Sequence, residues 1–196
     1  MSPSPKAMIG VKDPLDWIRP ADGDCEGAVF LTYTFDARFF EEELLATLLP
    51  IRSDPQDQFA SFTHEGRRGL QKTPVVVMAD AGHFRGRRRL PYDLLLADRT
   101  QTFHPKLGLV LFRDHARLWI GSGNLTEGGY GGNAELFAFL HLDYSDDDAL
   151  LHATFDFLRS CGLRGEPWAK FQDVASHLCP ERGEGPADPA LLVGGQ

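Results

Sequence analysis

The sequence lacks the marks of a membrane, secreted or disulfide-bonded protein. Its 196 residues contain no run of about 18 apolar side chains, so no transmembrane helix is expected. The first residues, MSPSPKAMIGVKD, have no apolar core and no small-residue cleavage site, which argues against a signal peptide. The three cysteines are scattered and form neither a zinc pattern nor a disulfide framework. We therefore expect a cytoplasmic protein without membrane contact.

The chain also lacks the excess of positive charge that is typical of proteins that coat nucleic acids. Its formal net charge is −8, with 28 acidic against 20 basic residues. Arginines nevertheless cluster in one glycine-containing stretch, at Arg85, Arg87, Arg88 and Arg89, and in a smaller pair at Arg67 and Arg68. Guanidinium groups match the geometry of phosphate, so the cluster indicates either a local anion-binding surface or a solvated loop.

Apolar patterns predict an α/β fold. Residues 28–35 and 74–79 are buried strands by their β-branched and aromatic content. The stretch ARFFEEELLATLLP has helical spacing, with Asp36 as its N-cap and Pro50 as its end. Further strands are predicted at 92–97, 106–112, 117–121 and 134–142 (where a helix is the alternative), and an amphipathic helix at 147–160. The result is a mixed sheet of about six or seven strands between helices.

The domain limits follow from composition. Residues 1–27 are rich in Pro, Asp and Gly and are predicted to be irregular, whereas residues 28–178 form the folded domain. Residues 52–72 are too polar to assign, and residues 163–178 have room for a short helix. Residues 179–196 resemble a linker, which indicates either a further domain or partner after residue 196 or a frayed terminus.

One segment, FHPKLGLVLFRDHARLWIGSGNLT, brings chemically active side chains together. His104 and Lys106 are two residues apart, so in a strand both side chains point to the same face. A predicted tight turn at residues 113–116 returns the chain as a second strand. That return places Ser122 and Asn124, again two residues apart, near His104 and Lys106.

These side chains suit a phosphodiester substrate. An imidazole can attack phosphorus and form a covalent intermediate, which makes His104 the candidate nucleophile. Lys106, Ser122 and Asn124 can hold the equatorial oxygens and neutralise developing charge. Glu135 can hydrogen-bond the other imidazole nitrogen of His104 and fix its tautomer. The segment therefore predicts cleavage through a phosphohistidine.

The same residues resemble the single-motif nucleases of the phospholipase D superfamily, whose pattern is H-x-K, then G-S-x-N, then a Glu. The pattern stands here as His104-Pro105-Lys106, Gly121-Ser122-Gly123-Asn124 and Glu135. The runs GSGNLT and GGNAE and the opening LTYTFDARFFEEELL resemble the restriction-endonuclease-like branch. The resemblance covers residues 28–160 and implies a phospholipase D-like α/β fold, with a mixed sheet sandwiched between helices.

One position departs from the family pattern. Many members carry an Asp where this sequence has Leu111, and the nearby Asp114 falls in the predicted turn and out of register. Several nuclease branches of the superfamily lack that Asp, so the departure does not exclude catalysis. It does weaken the expectation of a lipid-hydrolysing member.

The motif occurs once, although cleavage through a covalent intermediate also needs an acid for the leaving group. In the resembled superfamily, two H-x-K motifs face each other across a two-fold or pseudo-two-fold axis. The economical expectation is a homodimer in which one His104 attacks and the His104 of the second copy donates the proton. The alternative is a second motif in a domain beyond this sequence. No metal or cofactor is expected, because the paired lysines and histidines replace the cation.

We therefore expect a metal-independent nuclease, with DNA favoured over RNA, in which the arginines of residues 85–89 line the groove. A role in restriction or defence is implied by the resemblance alone. The first alternative is an enzyme of the same chemistry that acts on phospholipid or phosphatidyl groups, and the second is a catalytically inactive dimerisation or DNA-docking module. The remaining histidines lack paired ligands at metal spacing and are interpreted as structural or surface residues: His64, His83, His115, His141, His152 and His177.

Overall fold

The computed structural model of the chain describes residues 6–8, 14–20, 25–97 and 102–180. Most of the predicted linker-like tail, from residue 181 onward, lies outside these ranges. The predicted limits of the domain therefore stay a prediction.

A mixed sheet forms the centre of the molecule. The described strands are β1 (Lys6–Met8), β2 (Gly27–Thr32), β3 (Phe35–Asp36), β4 (Val75–Asp80), β5 (Phe84–Arg85), β6 (Asp93–Ala97), β7 (Leu107–Leu111), β8 (His115–Gly121) and β9 (Phe137–Asp143). Seven of them pair in the order β1-β9-β8-β7-β2-β4-β6, and β3 pairs separately with β5. The β2–β4 and β4–β6 pairs are parallel and the other pairs of the large sheet are antiparallel. The predicted mixed sheet is confirmed.

Helices cover both faces of this sheet. The described α-helices are α1 (Pro14–Ile18), α2 (Ala37–Phe39), α3 (Ala46–Leu48), α4 (Phe59–Lys72), α5 (Asp148–Ser160) and α6 (Glu166–Leu178). A π-helical stretch, Phe40–Leu45, joins α2 to α3, so the predicted helix of this region is present with a widened middle. Asp36 caps it as predicted, because its carboxylate accepts the N–H groups of Arg38 and Phe39. None of the described helices has the length and apolar character needed to cross a bilayer.

Each face of the sheet has its own apolar core, because side chains alternate along every strand. On β2, Ala28 and Phe30 pack into the core beneath the helical residues 37–48 and α4. Val29 and Leu31 point the other way, into the core beneath α5 and α6. The prediction of helices on both sides is confirmed, and two buried layers hold the strands in fixed register.

Helix α4 occupies the polar stretch that the sequence left unassigned. Its buried stripe is Phe62, Gly66 and Gly69. A methyl group at Gly66 would lie 2.8 Å from the side chain of Leu90, and one at Gly69 would lie 3.0 Å from that of Leu49. The helix therefore packs closely through its two glycines as well as through the buried ring of Phe62. With glycine at two of its three buried positions, few apolar residues mark it in the sequence.

The first predicted segment is not wholly irregular. β1 pairs with β9 in antiparallel register, and α1 follows it. A strand of three residues is hard to predict from its sequence. β1 forms because it pairs with β9, which lies more than a hundred residues later in the chain. Helix α6, at 13 residues, is also longer than the short helix expected there.

One edge of the sheet gathers four chain segments. β2 and β4 run parallel and therefore end at the same edge. Leu31, near the end of β2, pairs with Leu107 at the start of β7, and Leu107 pairs in turn with Ile120 near the end of β8. Residues that follow β2 and β4, precede β7 and follow β8 are thus brought together at this edge.

Candidate active site

His104 and Lys106 lie in the extended segment that enters β7. The Nζ atom of Lys106 is 3.1 Å from Nδ1 and 3.3 Å from Nε2 of His104, and it also donates to the carbonyl oxygen of His104 at 3.3 Å. His104 is exposed and Lys106 is half-buried. The predicted pairing of an imidazole with an ammonium group is present, and the imidazole remains open to a substrate.

Ser122 and Glu135 form the opposite wall of the site. The backbone N–H of Gly121 donates to the carbonyl of Lys106 at 3.2 Å, which sets Ser122 beside the His104 segment. The Ser122 hydroxyl donates a short hydrogen bond to Glu135 Oε2 and accepts the N–H of Leu136 at 3.0 Å. The sequence predicts that Glu135 hydrogen-bonds the imidazole of His104. In the structure, the described hydrogen bond of Glu135 is instead the one that it accepts from Ser122.

The charge on Glu135 also acts on Lys106. Partial burial lowers the pKa of Lys106 below its ordinary value, and the nearby Glu135 carboxylate opposes that shift. A cation, a carboxylate and a hydroxyl therefore share one small region. The carboxylate thus favours the charged form of Lys106, against the effect of burial.

Asn124 is fixed by the segment that follows β2. Its side-chain Oδ1 accepts the N–H of Thr34 at 3.0 Å. The next residue, Leu125, donates its N–H to Thr32 Oγ1 at 3.0 Å and accepts the N–H of Asp36 at 2.9 Å. Since the oxygen of the Asn124 amide accepts this bond, its NH₂ group supplies the remaining hydrogen-bond donors of the side chain.

A glycine-rich turn supports the loop that carries Asn124. The π-helical stretch Gly128–Gly132 lies against it so closely that a methyl group at Gly129 would collide with the backbone of Asn124. Tyr130 of the same stretch accepts the indole N–H of Trp119 at 3.0 Å, in the interior. This bond ties the turn to β8, so the glycine-rich turn supports the Asn124 loop from the interior.

The arginine cluster divides into two pairs. Arg89 forms ion pairs with Glu41, which is fully buried, and with Glu42, at 3.2 and 2.6 Å. Arg88 donates to the carbonyl of Tyr92 at 2.8 Å. Arg85 and Arg87 are exposed. Arg88 and Arg89 therefore bind partners within the fold, although Arg88 is exposed as well.

Three residues outside the predicted site also lie at this edge. Tyr33 follows β2 directly, Asp80 ends β4, and His83 stands three residues further on. The Tyr33 ring contacts both His83 and His104, with ring centroids 3.9 and 4.7 Å away. Polar and aromatic residues at the carboxyl ends of parallel strands are the signal that points to them, because ligand sites form there.

No group of three or more His, Cys, Asp or Glu side chains in the described ranges is placed to hold a metal ion. The charged groups of the site are instead Lys106 and Glu135, with the imidazole of His104 between the cation and solvent. Such a set can bind and attack an electrophile that carries negative charge.

The backbone is similar to solved structures of phosphodiesterases. A crystal structure of yeast tyrosyl-DNA phosphodiesterase matches 88% of this chain with a TM-score of 0.53, at 10% sequence identity. The chain has a phospholipase D-like fold. The resemblance predicted from the sequence is thus confirmed for the fold, although this chain spans only 40% of the yeast enzyme.

Two smaller proteins are similar to this chain over most of their own length. Nuc from Salmonella typhimurium, a phospholipase D family member, has a TM-score of 0.43 and 15% identity over 76% of this chain and 91% of its own. NucT from Helicobacter pylori has a TM-score of 0.42 and 13% identity over 80% of this chain and 94% of its own. No protein-family model and no characterised protein sequence matches the chain.

The departure from the family pattern lies away from the site of this phospholipase D-like domain. Leu111 is fully buried at the far end of β7, in the core beneath α5 and α6. A strand rises about 3.3 Å per residue, so Leu111 is roughly 16 Å from Lys106. Asp114 lies still further along and pairs with His115 at 2.8 Å. Leucine at position 111 therefore leaves the geometry around His104 unaffected.

Proposed function

We propose that the protein is a metal-independent phosphodiesterase that cleaves nucleic acid, with an active site completed by a second copy of the chain. The observation that carries this proposal is the convergence of His104, Lys106, Ser122, Asn124 and Glu135 at one open edge of the sheet. Because His104 and Ser122 are exposed, a long polymer can pass over them without entering a closed pocket.

The first chemical step uses groups of one chain. A ring nitrogen of His104 attacks phosphorus with its lone pair, an N–P bond forms, and the P–O bond to the leaving group breaks. Lys106 and the amide NH₂ of Asn124 stabilise the negative charge that accumulates on the equatorial oxygens. The leaving oxygen needs a proton, and in an in-line displacement this proton comes from the side opposite His104.

A second copy supplies the acid in this proposal. The protonated His104 of that copy gives its proton to the leaving oxygen and becomes neutral. Water then attacks phosphorus and gives a proton to the same neutral imidazole, while the N–P bond breaks and its electron pair returns to the first His104. The cycle ends with both histidines in their starting states and one phosphodiester bond hydrolysed.

Apolar side chains beside the site support an interface there. Leu136, the neighbour of Glu135, is 76% exposed, and Ile120 on β8 is 50% exposed. Ile120 pairs with Ala138, which is also exposed, so these side chains share one face of the sheet. Such a patch next to an incomplete catalytic set fits contact with another copy of this chain.

Replacing Leu136 by asparagine should weaken the dimer and reduce cleavage in parallel, because a polar side chain would be desolvated at the interface. Light scattering would give the mass, and a cleavage assay on the same samples would give the activity. Leu96→Asn is the matched control, since Leu96 is exposed to 46% on the edge strand β6, away from β8 and β9. A fully active wild-type monomer would refute the shared site.

The charge on the loop after β4 supports an anionic polymer as the substrate. Arg85 and Arg87 are exposed on the loop that also carries His83 of the site edge. Although the chain has a net charge of −8, these two cations form a local positive surface that can bind backbone phosphates. DNA is the proposed substrate, and cleavage within a restriction or defence system is the proposed role.

The double variant Arg85→Gln/Arg87→Gln is expected to weaken DNA binding several-fold and to flatten the slope of log K against log salt by about 2. Fluorescence anisotropy on the His104→Ala background would measure binding without cleavage. The exposed pair Arg113 and Arg164 provides the control, changed to glutamine together, because Arg113 lies in the β7–β8 turn at the opposite end of the sheet. Equal losses in the two double variants would exclude a specific role for the loop.

The proposed function is tested by incubating the chain with single- and double-stranded DNA and RNA in EDTA. Cleavage of at least one substrate is expected, and the pattern of products identifies the substrate. A chain that forms dimers but cleaves none of the four would contradict nuclease activity. It would leave the inactive dimerisation or DNA-docking module as the better interpretation.

The apolar patch also favours a second candidate, a phospholipase D-like enzyme acting on lipid. Ile120 and Leu136 can contact acyl chains as readily as another protein surface. Phosphatidylcholine vesicles in the same EDTA buffer distinguish the two functions. Release of choline with no cleavage of nucleic acid would replace the nuclease proposal by this one.

A further inference from the structure

A linked set of three side chains, Asp80, His83 and Tyr33, lies directly beside His104. Asp80 Oδ1 is 2.9 Å from Nδ1 of His83, and Nε2 of His83 is 2.6 Å from the hydroxyl of Tyr33. The Tyr33 ring then contacts the His104 imidazole at a centroid distance of 4.7 Å. A continuous path of contacts therefore joins the end of β4 to the candidate nucleophile.

Asp80 also holds the backbone next to His104. Its second oxygen, Oδ2, accepts the N–H of Phe103 at 3.0 Å, while Oδ1 accepts the N–H of Gly82 at 2.8 Å. The bonds from His83, Phe103 and Gly82 hold the pKa of Asp80 down to about 2. The carboxylate is thus ionised at neutral pH and acts only as an acceptor.

The ionised carboxylate fixes the orientation of the His83 ring. Since Asp80 can only accept, Nδ1 of His83 carries a proton, and Nε2 is hydrogen-bonded to the Tyr33 hydroxyl. The Tyr33 ring is therefore fixed at one end by a hydrogen bond and lies against the His104 ring at an angle of 40°. Lys106 Nζ is 5.7 Å from the same ring, within the range of a cation–π contact.

We propose that Tyr33, held in place by His83 and Asp80, is a positioning residue that orients the imidazole of His104 for attack on phosphorus. His104 has no hydrogen bond to Glu135 in the described chain, so its contacts are Lys106 and this ring. An exposed imidazole without a fixed partner would rotate freely about its side-chain bonds. The ring contact removes that freedom, and fixing a reacting group accelerates a reaction in this way.

This inference rests on the proposed phosphodiesterase activity, and it has a separate physical readout. The His104 ring-proton resonance, assigned by its loss in His104→Asn, reports the contact with Tyr33 whether or not the protein cleaves a substrate. We expect Tyr33→Ala to shift that resonance, because the neighbouring aromatic ring is removed, whereas Phe157→Ala on α5 leaves it unchanged. Phe157 is a suitable control because it is an aromatic residue with 44% exposure.

The kinetic effect separates positioning from binding. Tyr33→Ala should lower kcat by about 30- to 100-fold with KM changed less than about threefold, since a misplacement of roughly 1 Å can cost about 100-fold. Tyr33→Phe keeps the ring and should recover most of the rate, and His83→Ala should fall between the two. Melting curves show whether each variant is folded.

An unchanged His104 resonance in folded Tyr33→Ala would overturn the proposal, as would equal losses of kcat in Tyr33→Ala and Tyr33→Phe. A wild-type chain that cleaves nothing would overturn the proposed function instead. In that case a shifted resonance would still support the contact between Tyr33 and His104.

Discussion

Replacing His104 by alanine should reduce cleavage in EDTA by a factor of at least about 10³, because the variant loses the atom that forms the covalent bond to phosphorus. The side chain is exposed and packs against no core residue in the described chain, so folding should not change. The remaining residues of the site would still bind phosphate. We therefore expect the loss in kcat, with substrate binding retained.

The matched control for that variant is His64→Ala. His64 is an exposed histidine on α4, and no bond or ring contact links it to the site. Its loss should leave kcat and KM unchanged. Residual cleavage of more than about a tenth of the wild-type rate in His104→Ala would assign the nucleophile to another residue, because acid–base assistance alone contributes at least about 10²-fold.

The second large effect is expected at a glycine that touches no substrate. In Gly129→Ala, the added methyl group would lie 2.6 Å from the backbone nitrogen of Asn124 and closer still to its carbonyl oxygen. The π-helical turn and the Asn124 loop must then separate. We expect cleavage to fall by about 100-fold, since a displacement of roughly 1 Å in a catalytic group has an effect of this size.

The same turn contains a control for Gly129→Ala. A methyl group at Gly131 would meet nothing within 4 Å. Gly131→Ala should therefore keep the wild-type rate and melting temperature, whereas Gly129→Ala should lower both. Equal activity in the two variants would show that the position of Asn124 does not matter for the reaction.

Four residues of the candidate site could be predicted because they are close to one another in the sequence. His104 and Lys106 directly precede β7, and Ser122 and Asn124 directly follow β8, so a single hairpin determines which side chains meet. Strand alternation and the turn position were sufficient for that prediction. The sheet and its two helical layers followed from the apolar patterns of the longer elements.

The contacts of Tyr33, Asp80 and His83 could not be predicted in the same way. Each reaches the site only because β2, β4 and β7 are arranged in one particular order. His83 was interpreted as a structural or surface histidine, since nothing near it in sequence resembles the His104 motif. His83 contacts Asp80 and Tyr33 because the parallel strands β2 and β4 end at the same edge of the sheet, which the sequence does not show.

The partners of the arginine cluster could not be predicted from the sequence either. A run of arginines predicts local positive charge, but not which side chains find acidic partners within the fold. Glu41, fully buried in the π-helical stretch, accepts the N–H groups of Arg89 and Leu90 at 2.7 and 3.1 Å and also the Arg89 side chain. Arg89 is neutralised by a residue 48 positions earlier, a pairing that depends on how the loop folds back over the helix.

The central claim is that His104 forms a covalent bond to phosphorus, and trapping that bond tests it most directly. The wild-type chain would be mixed with a labelled phosphodiester substrate in EDTA, quenched in alkali and analysed by mass spectrometry. The account predicts an acid-labile adduct on the peptide that contains His104, and no adduct in His104→Ala. Cleavage by the wild type with no adduct, or with an adduct on another residue, would contradict it.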